Sequence, residues 1–238
     1  PLQEQEISRT LFALASEERE VNLDEQKRLS KPALRMAHNW AETFHQTWLE
    51  RRWADFEGVF GGCSASVQNG RIASPFYLDC AHGAGASWLA NFLTMRGIET
   101  REVSENAIAL NANCGAGDFS PTQTWTVEEA ASSPHALLSS LNSAEAGTLV
   151  GAALDGDGDR CLLIEATDGG YKVIDGDAMA AMLIEAGQEQ GAWRFAASIE
   201  SDVALTGFVS QFHPDTICLE TAVGDRWLSV GLRHPDGL

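Results

Sequence analysis

From residue 76 onwards the sequence alternates short apolar runs with segments of helical periodicity, and this alternation constrains the fold more than any other feature. Residues 76–80 and 98–103 have the character of strands on either side of a helix over 86–97. The run TLVGAAL over 148–154 is almost continuously apolar, which is typical of an interior strand covered on both faces. Alternating strands and helices predict an α/β fold built from layers.

The same alternation restarts after residue 174, where helix, strand, helix and strand signals follow in turn. This restart predicts two similar α/β units with a boundary near Asp175. We therefore expect three parts: a helix and linker over 1–31, a large unit over 32–174, and a partial second unit over 175–238.

A long amphipathic helix is predicted from Lys31, because Pro32 suits the first turn of a helix. Apolar residues then recur at helical spacing and are expected to face the core: Leu34, Ala37, Ala41, Phe44 and Trp48. A shorter helix is expected over 2–18, carrying Ile7, Leu11 and Leu14.

Composition narrows the class of function. The formal net charge is -18, which argues against a general nucleic-acid binder because affinity for phosphate backbones depends on clustered Lys and Arg. No apolar stretch approaches the roughly 18 residues that span a bilayer, and the first residues lack signal-peptide character, so a cytoplasmic location is expected. The cysteines form no CxxC pair, and we expect reduced, buried thiols without a zinc site: Cys63, Cys80, Cys114, Cys161 and Cys218.

Three aspartates stand two residues apart in the segment DGDGDR. In an extended chain the side chains of Asp155, Asp157 and Asp159 leave the same face, and the intervening Gly156 and Gly158 let the backbone curl. Like charges this close repel one another unless a cation lies between them. Hard oxygen ligands select Mg²⁺ or Ca²⁺, and a magnesium site leaves positions open for water or a substrate phosphate.

Two calcium-binding motifs fit this acidic segment poorly. An EF-hand loop requires Gly at its sixth position and Glu at its twelfth, where this chain has Arg160 and Ala166. A calcium-binding β-helix would repeat the motif, which occurs once. An ordinary acidic turn between two strands remains the simplest alternative. Arg160 argues against that alternative, because a guanidinium beside a metal suits bidentate binding of a phosphate.

Four segments together resemble the α-D-phosphohexomutases. Residues 153–177, ALDGDGDRCLLIEATDGGYKVIDGD, are similar to the metal-binding loop and the following hairpin of that family. The segments YLDCAHGAGA (77–86), LNANCGAGD (110–118) and TAVGDRWL (221–228) resemble other family segments in the same order, and the last two are most similar to the phosphoglucosamine mutases. The resemblance implies two α/β/α-layered units with mixed β-sheets.

The resemblance also implies a chemistry. Enzymes of this family move a phosphoryl group between the 1 and 6 positions of a hexose through a phosphoserine. The resemblance implies that Asp155, Asp157 and Asp159 are Mg²⁺ ligands and that Arg160 contacts a phosphate. Three further residues are candidates for phosphosugar binding or for an ordinary helix start: Gly224, Asp225 and Arg226.

The resemblance covers the family's second domain and the start of its third. The serine loop of the family, typically Ser-His-Asn-Pro, has no counterpart, since residues 37–40 read Ala-His-Asn-Trp. We therefore expect no catalytic residue in this chain and no turnover by the chain alone, with residues 1–31 as the tail of a first domain. The expected partners are a phosphosugar and the remaining domains of the same enzyme. Glucosamine phosphate is the expected sugar; phosphomannomutase or phosphoglucomutase activity, or a non-catalytic metal and phosphosugar module, remain alternatives.

His82 lies in the second of these segments, at a strand-to-helix turn. A histidine in such a turn is expected to be a structural hydrogen-bonding group rather than a ligand contact.

Overall fold

The computed structural model describes residues 31–61, 70–187 and 194–233, together with a few isolated positions before residue 14. Within these residues no helix is both long and apolar enough to cross a membrane. Most of the helix expected over 2–18, and the thiol of Cys63, lie outside the described residues.

The centre of the fold is one mixed sheet. Its strands are β1 Ile72–Asp79, β2 Thr100–Glu102, β3 Thr124–Thr126, β4 Leu149–Leu154, β5 Cys161–Thr167 and β6 Gly170–Ile174. The six strands lie in the order β2-β1-β4-β5-β6-β3. β1 is parallel to β2 and to β4, whereas β5 is antiparallel to β4 and to β6, and β3 is antiparallel to β6. The mixed α/β prediction is confirmed.

Parallel pairing places the carboxyl ends of β1, β2 and β4 at the same edge of the sheet. At that edge Asp79 pairs with Ala153, and Leu154 pairs with Cys161 at the start of β5. The connection from β4 to β5 therefore lies beside the turn that follows β1. The sequence predicts the three aspartates in this connection, and the structure places them there.

Helices make up most of the remaining described elements. Their bounds, with two further strands, are α1 Lys31–Phe60, α2 Leu89–Thr94, α3 Val127–Ser132, α4 Ala136–Ser140, α5 Gly176–Ala186, β7 Arg194–Ser198, α6 Val203–Phe212, β8 Ile217–Thr221 and α7 Asp225–Arg233. Pro134 lies in the break between α3 and α4. α3 begins with a capping box between Thr126 and Glu129, and the His135 side chain caps α4.

The core lies where α3 and α4 cover the sheet. Leu137 and Ile164 are completely buried, and Leu138, Val150 and Tyr171 are nearly so. Complete burial of one such aliphatic side chain stabilises the fold by about 1.5–3 kcal/mol. This packing holds the strands whose ends carry the aspartates.

The chain divides into two compact units. The first contains Glu57–Trp193 and Ser201–Cys218, and thus the whole six-stranded sheet. The second contains Pro1–Phe56, Arg194–Glu200 and Leu219–Leu238, where α7 packs on β7. The boundary near Asp175 stays a prediction.

The apolar stripe of α1 is not buried, so the expectation that it faces the core is wrong for the residues whose side chains are described. Phe44 is 61% exposed and Trp48 is 50% exposed, and Ala41 is exposed as well. Trp40 instead stacks on Phe44, with ring centroids 5.5 Å apart. Helical spacing shows that one face of a helix can be buried, but it does not specify a surface that covers it.

The described cysteines form no disulfide with one another. Cys80 and Cys114 are buried, and Cys161 and Cys218 are partly buried. Burial raises the pKa of Cys80 to about 12 and that of Cys161 to about 11, so both thiols are protonated at neutral pH.

The β5–β6 hairpin provides a test of the register. A side chain at Gly170 would overlap the Trp125 carbonyl oxygen of β3, whereas nothing lies within 4 Å of the corresponding position at Gly169. We expect Gly170→Ala to lower the free energy of unfolding by about 1–3 kcal/mol, because the backbone of β3 cannot move without breaking its pairing. Gly169→Ala is the matched control and should change it by less than about 0.5 kcal/mol. Urea denaturation of both variants measures the difference, and equal stabilities would contradict the β3–β6 register.

Candidate metal centre

The three aspartates of the segment over 155–160, called here the aspartate loop, converge as the sequence predicts. One carboxylate oxygen from each of Asp155, Asp157 and Asp159 lies within 4.8 Å of the other two. Oxygens on opposite sides of one Mg²⁺ or Ca²⁺ lie about 4–5 Å apart, so the cluster has the size that such an ion requires. Asp155 is buried, and Asp157 and Asp159 are exposed. The site is therefore open on the side that faces solvent.

Asp155 holds the aspartate loop in shape. Its Oδ1 accepts hydrogen bonds from the backbone N–H groups of Gly158 at 3.1 Å and Arg160 at 3.2 Å. The backbone N–H of Asp155 in turn donates to the Arg160 carbonyl oxygen at 3.3 Å. Gly158 adopts a φ of 80°, a left-handed conformation that glycine reaches without strain. Gly158 therefore makes the turn that brings the carboxylates together.

Arg160 pairs directly with the buried carboxylate. Its Nε donates to Asp155 Oδ2 at 2.8 Å, while its side chain is 75% exposed. The hydrogen bond to Asp155 and the charges of the three aspartates raise the pKa of Arg160. One guanidinium faces three carboxylates, so the loop keeps a net negative charge when all four groups are ionised. This residual charge favours a cation.

Asp155 is ionised under all ordinary conditions. Burial opposes its ionisation, but hydrogen bonds from the Arg160 side chain and backbone outweigh burial and lower the pKa to about 2. A carboxylate must be deprotonated to bind a metal ion, so Asp155 is ready to act as a ligand at any physiological pH.

Gly156 has a role that the sequence analysis did not identify. Its carbonyl oxygen accepts the N–H of Ala84 at 2.9 Å, and a side chain at Gly83 would overlap the Gly156 backbone. On another side, a Cβ added at Gly156 would lie 2.9 Å from Leu110 Cδ1. Gly156 is thus a point of close packing between the aspartate loop and two neighbouring segments. Only the glycine pair in CAHGAG hinted at this contact in the sequence.

His82 behaves as the structural group that its position predicts. Its backbone N–H donates to Ser104 Oγ at 2.8 Å, and its Nδ1 lies 3.0 Å from the Ser104 carbonyl oxygen. Ala81 and His82 both have positive φ, at 56° and 55°. The bonds to Ser104 hold this unusual backbone conformation in place.

The remaining candidates belong to the other compact unit. Asp225 lies in the first turn of α7, and Gly224 precedes it with a φ of 114°. The guanidinium carbon of Arg226 lies 4.6 Å from the centroid of the Trp227 ring. The segment is therefore a helix start with an acidic residue near the positive end of the helix dipole. Binding of a phosphosugar by these residues stays a prediction.

Several curated proteins with similar sequences are phosphoglucosamine mutases. The chain is 32% identical over 154 residues to a phosphoglucosamine mutase of Leifsonia xyli subsp. xyli, covering 63% of this chain and 30% of that protein. It is 31% identical over 163 residues to the enzyme of Mycolicibacterium smegmatis, covering 66% of this chain and 31% of that protein. A phosphoglucosamine mutase of Xanthobacter autotrophicus is 28% identical over 230 residues, covering 93% of this chain and 45% of that protein.

The chain resembles the α-D-phosphohexomutases, at about 30% identity over 63% to 93% of its length. The matched regions amount to between 30% and 45% of the length of these phosphohexomutases. No protein-family model matches the chain.

Two solved structures also align with parts of this chain. One is a phosphoglucomutase/phosphomannomutase family protein from Burkholderia thailandensis, with a TM-score of 0.48, 19% identity, and coverage of 72% of this chain and 34% of that one. The other is the Aspergillus fumigatus N-acetylphosphoglucosamine mutase, with a TM-score of 0.48, 18% identity, and coverage of 71% and 33%. Neither superposition is close enough to define a shared site.

The role of Arg160 in lowering the pKa of Asp155 can be measured directly. In the metal-free protein we expect the Asp155 carboxyl to titrate with a pKa of about 2, against its ordinary 3.8. Arg160→Met removes the guanidinium, so burial is less well opposed and the pKa should rise towards the ordinary value or above it. A carbon-13 NMR titration in EDTA reports this pKa. Arg101→Met, which removes an exposed arginine elsewhere, is the control.

The sign of the pH effect on stability follows from the same shift. Because the folded-state pKa of Asp155 is lowered, its stabilising contribution is complete above about pH 4 and is lost as pH falls towards 2. Arg160→Met should therefore lose less stability than the parent chain over this range. An Asp155 midpoint that stays near 2 in Arg160→Met would show that the guanidinium is not its cause.

Proposed function

We propose that this chain is the metal-binding part of a phosphohexomutase that interconverts hexose 6-phosphate and hexose 1-phosphate, with glucosamine phosphate as the sugar. The observation that carries the proposal is the convergence of Asp155, Asp157 and Asp159 beside Arg160. The sequence relatives named above support the choice of sugar, since they are phosphoglucosamine mutases.

In this proposal the three aspartates hold one Mg²⁺. Three hard carboxylate oxygens suit this ion and leave further positions for water or a phosphate oxygen. When bound, the ion would screen the negative charge of a transferring phosphoryl group and so favour in-line attack. The chain's own contribution is to keep the Asp155 carboxylate ionised and the three carboxylates close together, through the bonds of Asp155 to Gly158 and Arg160.

Arg160 is proposed to contact the phosphate beside this ion. Its Nε is engaged by Asp155, so the plane of the guanidinium is oriented, and the 75% exposure of the side chain keeps its terminal nitrogens accessible. Arginine binds phosphate oxygens bidentately through such a fork. Gly224, Asp225 and Arg226 are proposed to contribute further contacts to the phosphosugar from the start of α7.

The nucleophile is proposed to come from elsewhere in the enzyme. The sequence contains no Ser-His-Asn-Pro type string, and none of the candidate residues is a serine. The proposed partners are therefore the phosphosugar and the other domains of the same enzyme. A cytoplasmic location is proposed as well, supported by the free cysteines of the described residues.

A Mg²⁺ titration tests whether the three aspartates bind the ion, on which the rest of the proposal depends. Isothermal titration of the chain with Mg²⁺ should show weak, saturable binding, and Asp157→Ala should abolish it because one of three ligands is lost. Asp168→Ala is the matched control, since Asp168 is an exposed aspartate in the turn between β5 and β6, which leaves the sheet at the opposite edge. Unchanged heat in Asp157→Ala would contradict the assignment of the ligands.

The absence of a nucleophile predicts that the chain alone does not turn over substrate. Phosphorus-31 NMR with glucosamine, glucose or mannose 6-phosphate and a sugar bisphosphate should show no 1-phosphate above the level of a protein-free sample. The Leifsonia phosphoglucosamine mutase, assayed in parallel, verifies the conditions. Turnover by this chain that Asp157→Ala removes would overturn the prediction.

A further inference from the structure

Asp79 is a fully buried carboxylate at the carboxyl end of β1, close to the aspartate loop along the same sheet edge. Its two oxygens serve two different segments. Oδ1 accepts the backbone N–H of Ala81 at 2.8 Å, and Oδ2 accepts the backbone N–H of Gly115 at 2.8 Å. Burial raises the pKa of Asp79, and these two hydrogen bonds act against burial.

The two segments are the turn over 80–86, called here the β1 turn, and the loop over 104–118, called here the long loop. They are joined to each other as well, because the Asn111 N–H donates to the Ala81 carbonyl oxygen at 3.0 Å. A Cβ added at Gly115, whose φ is 86°, would lie 2.6 Å from Ala81 Cβ and 3.0 Å from the Leu154 carbonyl oxygen. The Asp79 carboxylate therefore fixes the β1 turn and the long loop as one packed body.

His135 completes this arrangement from α4. Its Nδ1 accepts the N–H of Leu137 at 3.3 Å, so in the neutral ring the proton belongs to Nε2. Nε2 lies 3.1 Å from the Gly115 carbonyl oxygen and donates to it. Gly115 is thus held at its N–H by Asp79 and at its carbonyl by His135.

Both segments contact the aspartate loop. The β1 turn does so through Ala84, whose N–H donates to the Gly156 carbonyl oxygen, and through Gly83, which packs against the Gly156 backbone. The long loop does so through Leu110, whose Cδ1 would lie 2.9 Å from a Cβ added at Gly156. Gly115 of the long loop also lies close to Leu154, the residue of β4 that precedes the aspartate loop. Leu154 and Gly156 are the two neighbours of Asp155. Displacement of the β1 turn or the long loop would therefore move a metal ligand.

We propose that Asp79 is a positioning residue for the metal site, which orients the aspartate loop through the β1 turn and the long loop without touching the ion. The inference rests on the proposed metal-binding function. Residues that orient metal ligands from outside the coordination shell commonly change affinity by about 10-fold to 100-fold when replaced. A purely structural role would predict a loss of global stability with no selective effect at the loop.

The test uses Asp79→Asn, which keeps the size of the side chain but turns one of the two acceptors into a donor. The first measurement is Mg²⁺ titration, and we expect the dissociation constant to rise about tenfold. The second, made without metal, is hydrogen exchange of the Ala84 amide relative to amides of the core strand β4. In Asp79→Asn we expect the Ala84 amide to exchange faster than in the parent chain. The exchange of the β4 amides should change only as far as the global free energy of unfolding changes.

Two further variants make the result decisive. Ile164→Val trims a fully buried core residue and should lower global stability without changing Mg²⁺ affinity or the relative exchange of Ala84. His135→Asn keeps an acceptor for the Leu137 N–H but cannot reach Gly115, so it should weaken Mg²⁺ binding in the same direction by a smaller factor. If Asp79→Asn does not fold, His135→Asn carries the test.

The outcomes separate the inference from the function on which it rests. Wild-type Mg²⁺ affinity in a folded Asp79→Asn variant overturns the inference, and so does unchanged relative exchange of the Ala84 amide. If the parent chain itself binds no Mg²⁺, the proposed function fails, and the exchange measurement alone decides whether Asp79 holds the aspartate loop.

Discussion

The parallel pairing of β1 with β4 is the constraint on which the site depends. It brings the carboxyl ends of both strands to one edge, so that the residues after Asp79 and after Leu154 leave the sheet side by side. The antiparallel return along β5 then requires a short connection at the same edge, and the aspartate loop supplies it. The candidate site lies there because this topology brings three backbone segments together.

Two carboxylates at this edge of the sheet have pKa values shifted in opposite directions. Asp155 is buried yet strongly ionised, because Arg160 and backbone N–H groups of the aspartate loop stabilise its charge and lower its pKa to about 2. Asp79 lies deeper, and burial raises its pKa although two N–H groups oppose this effect. One carboxylate shapes the aspartate loop from within, and the other organises the segments against which the loop packs.

Close backbone contact links these two carboxylates. Gly83, Gly115 and Gly156 each lie where a side chain would meet the backbone or side chain of a neighbouring segment. Such contacts tolerate almost no displacement, since protein interiors are packed as densely as organic crystals. This rigidity matters for the aspartate loop, because the exposed Asp157 and Asp159 depend on the backbone for their position.

The sequence by itself determined the α/β class, several strands and helices, the start of α1 at Lys31 and the convergence of the three aspartates. These features depend on local periodicity, on proline geometry and on spacing within a few residues, all of which can be read directly from the sequence. Only the tertiary structure decided that the three-residue strand β3 pairs with β6, that Phe44 and Trp48 of α1 are exposed, and that Asp79 reaches Gly115. Each of these features depends on contacts between residues far apart in the chain, or on which element packs against a given helix face. A pattern of neighbouring residues carries no information about such long-range contacts.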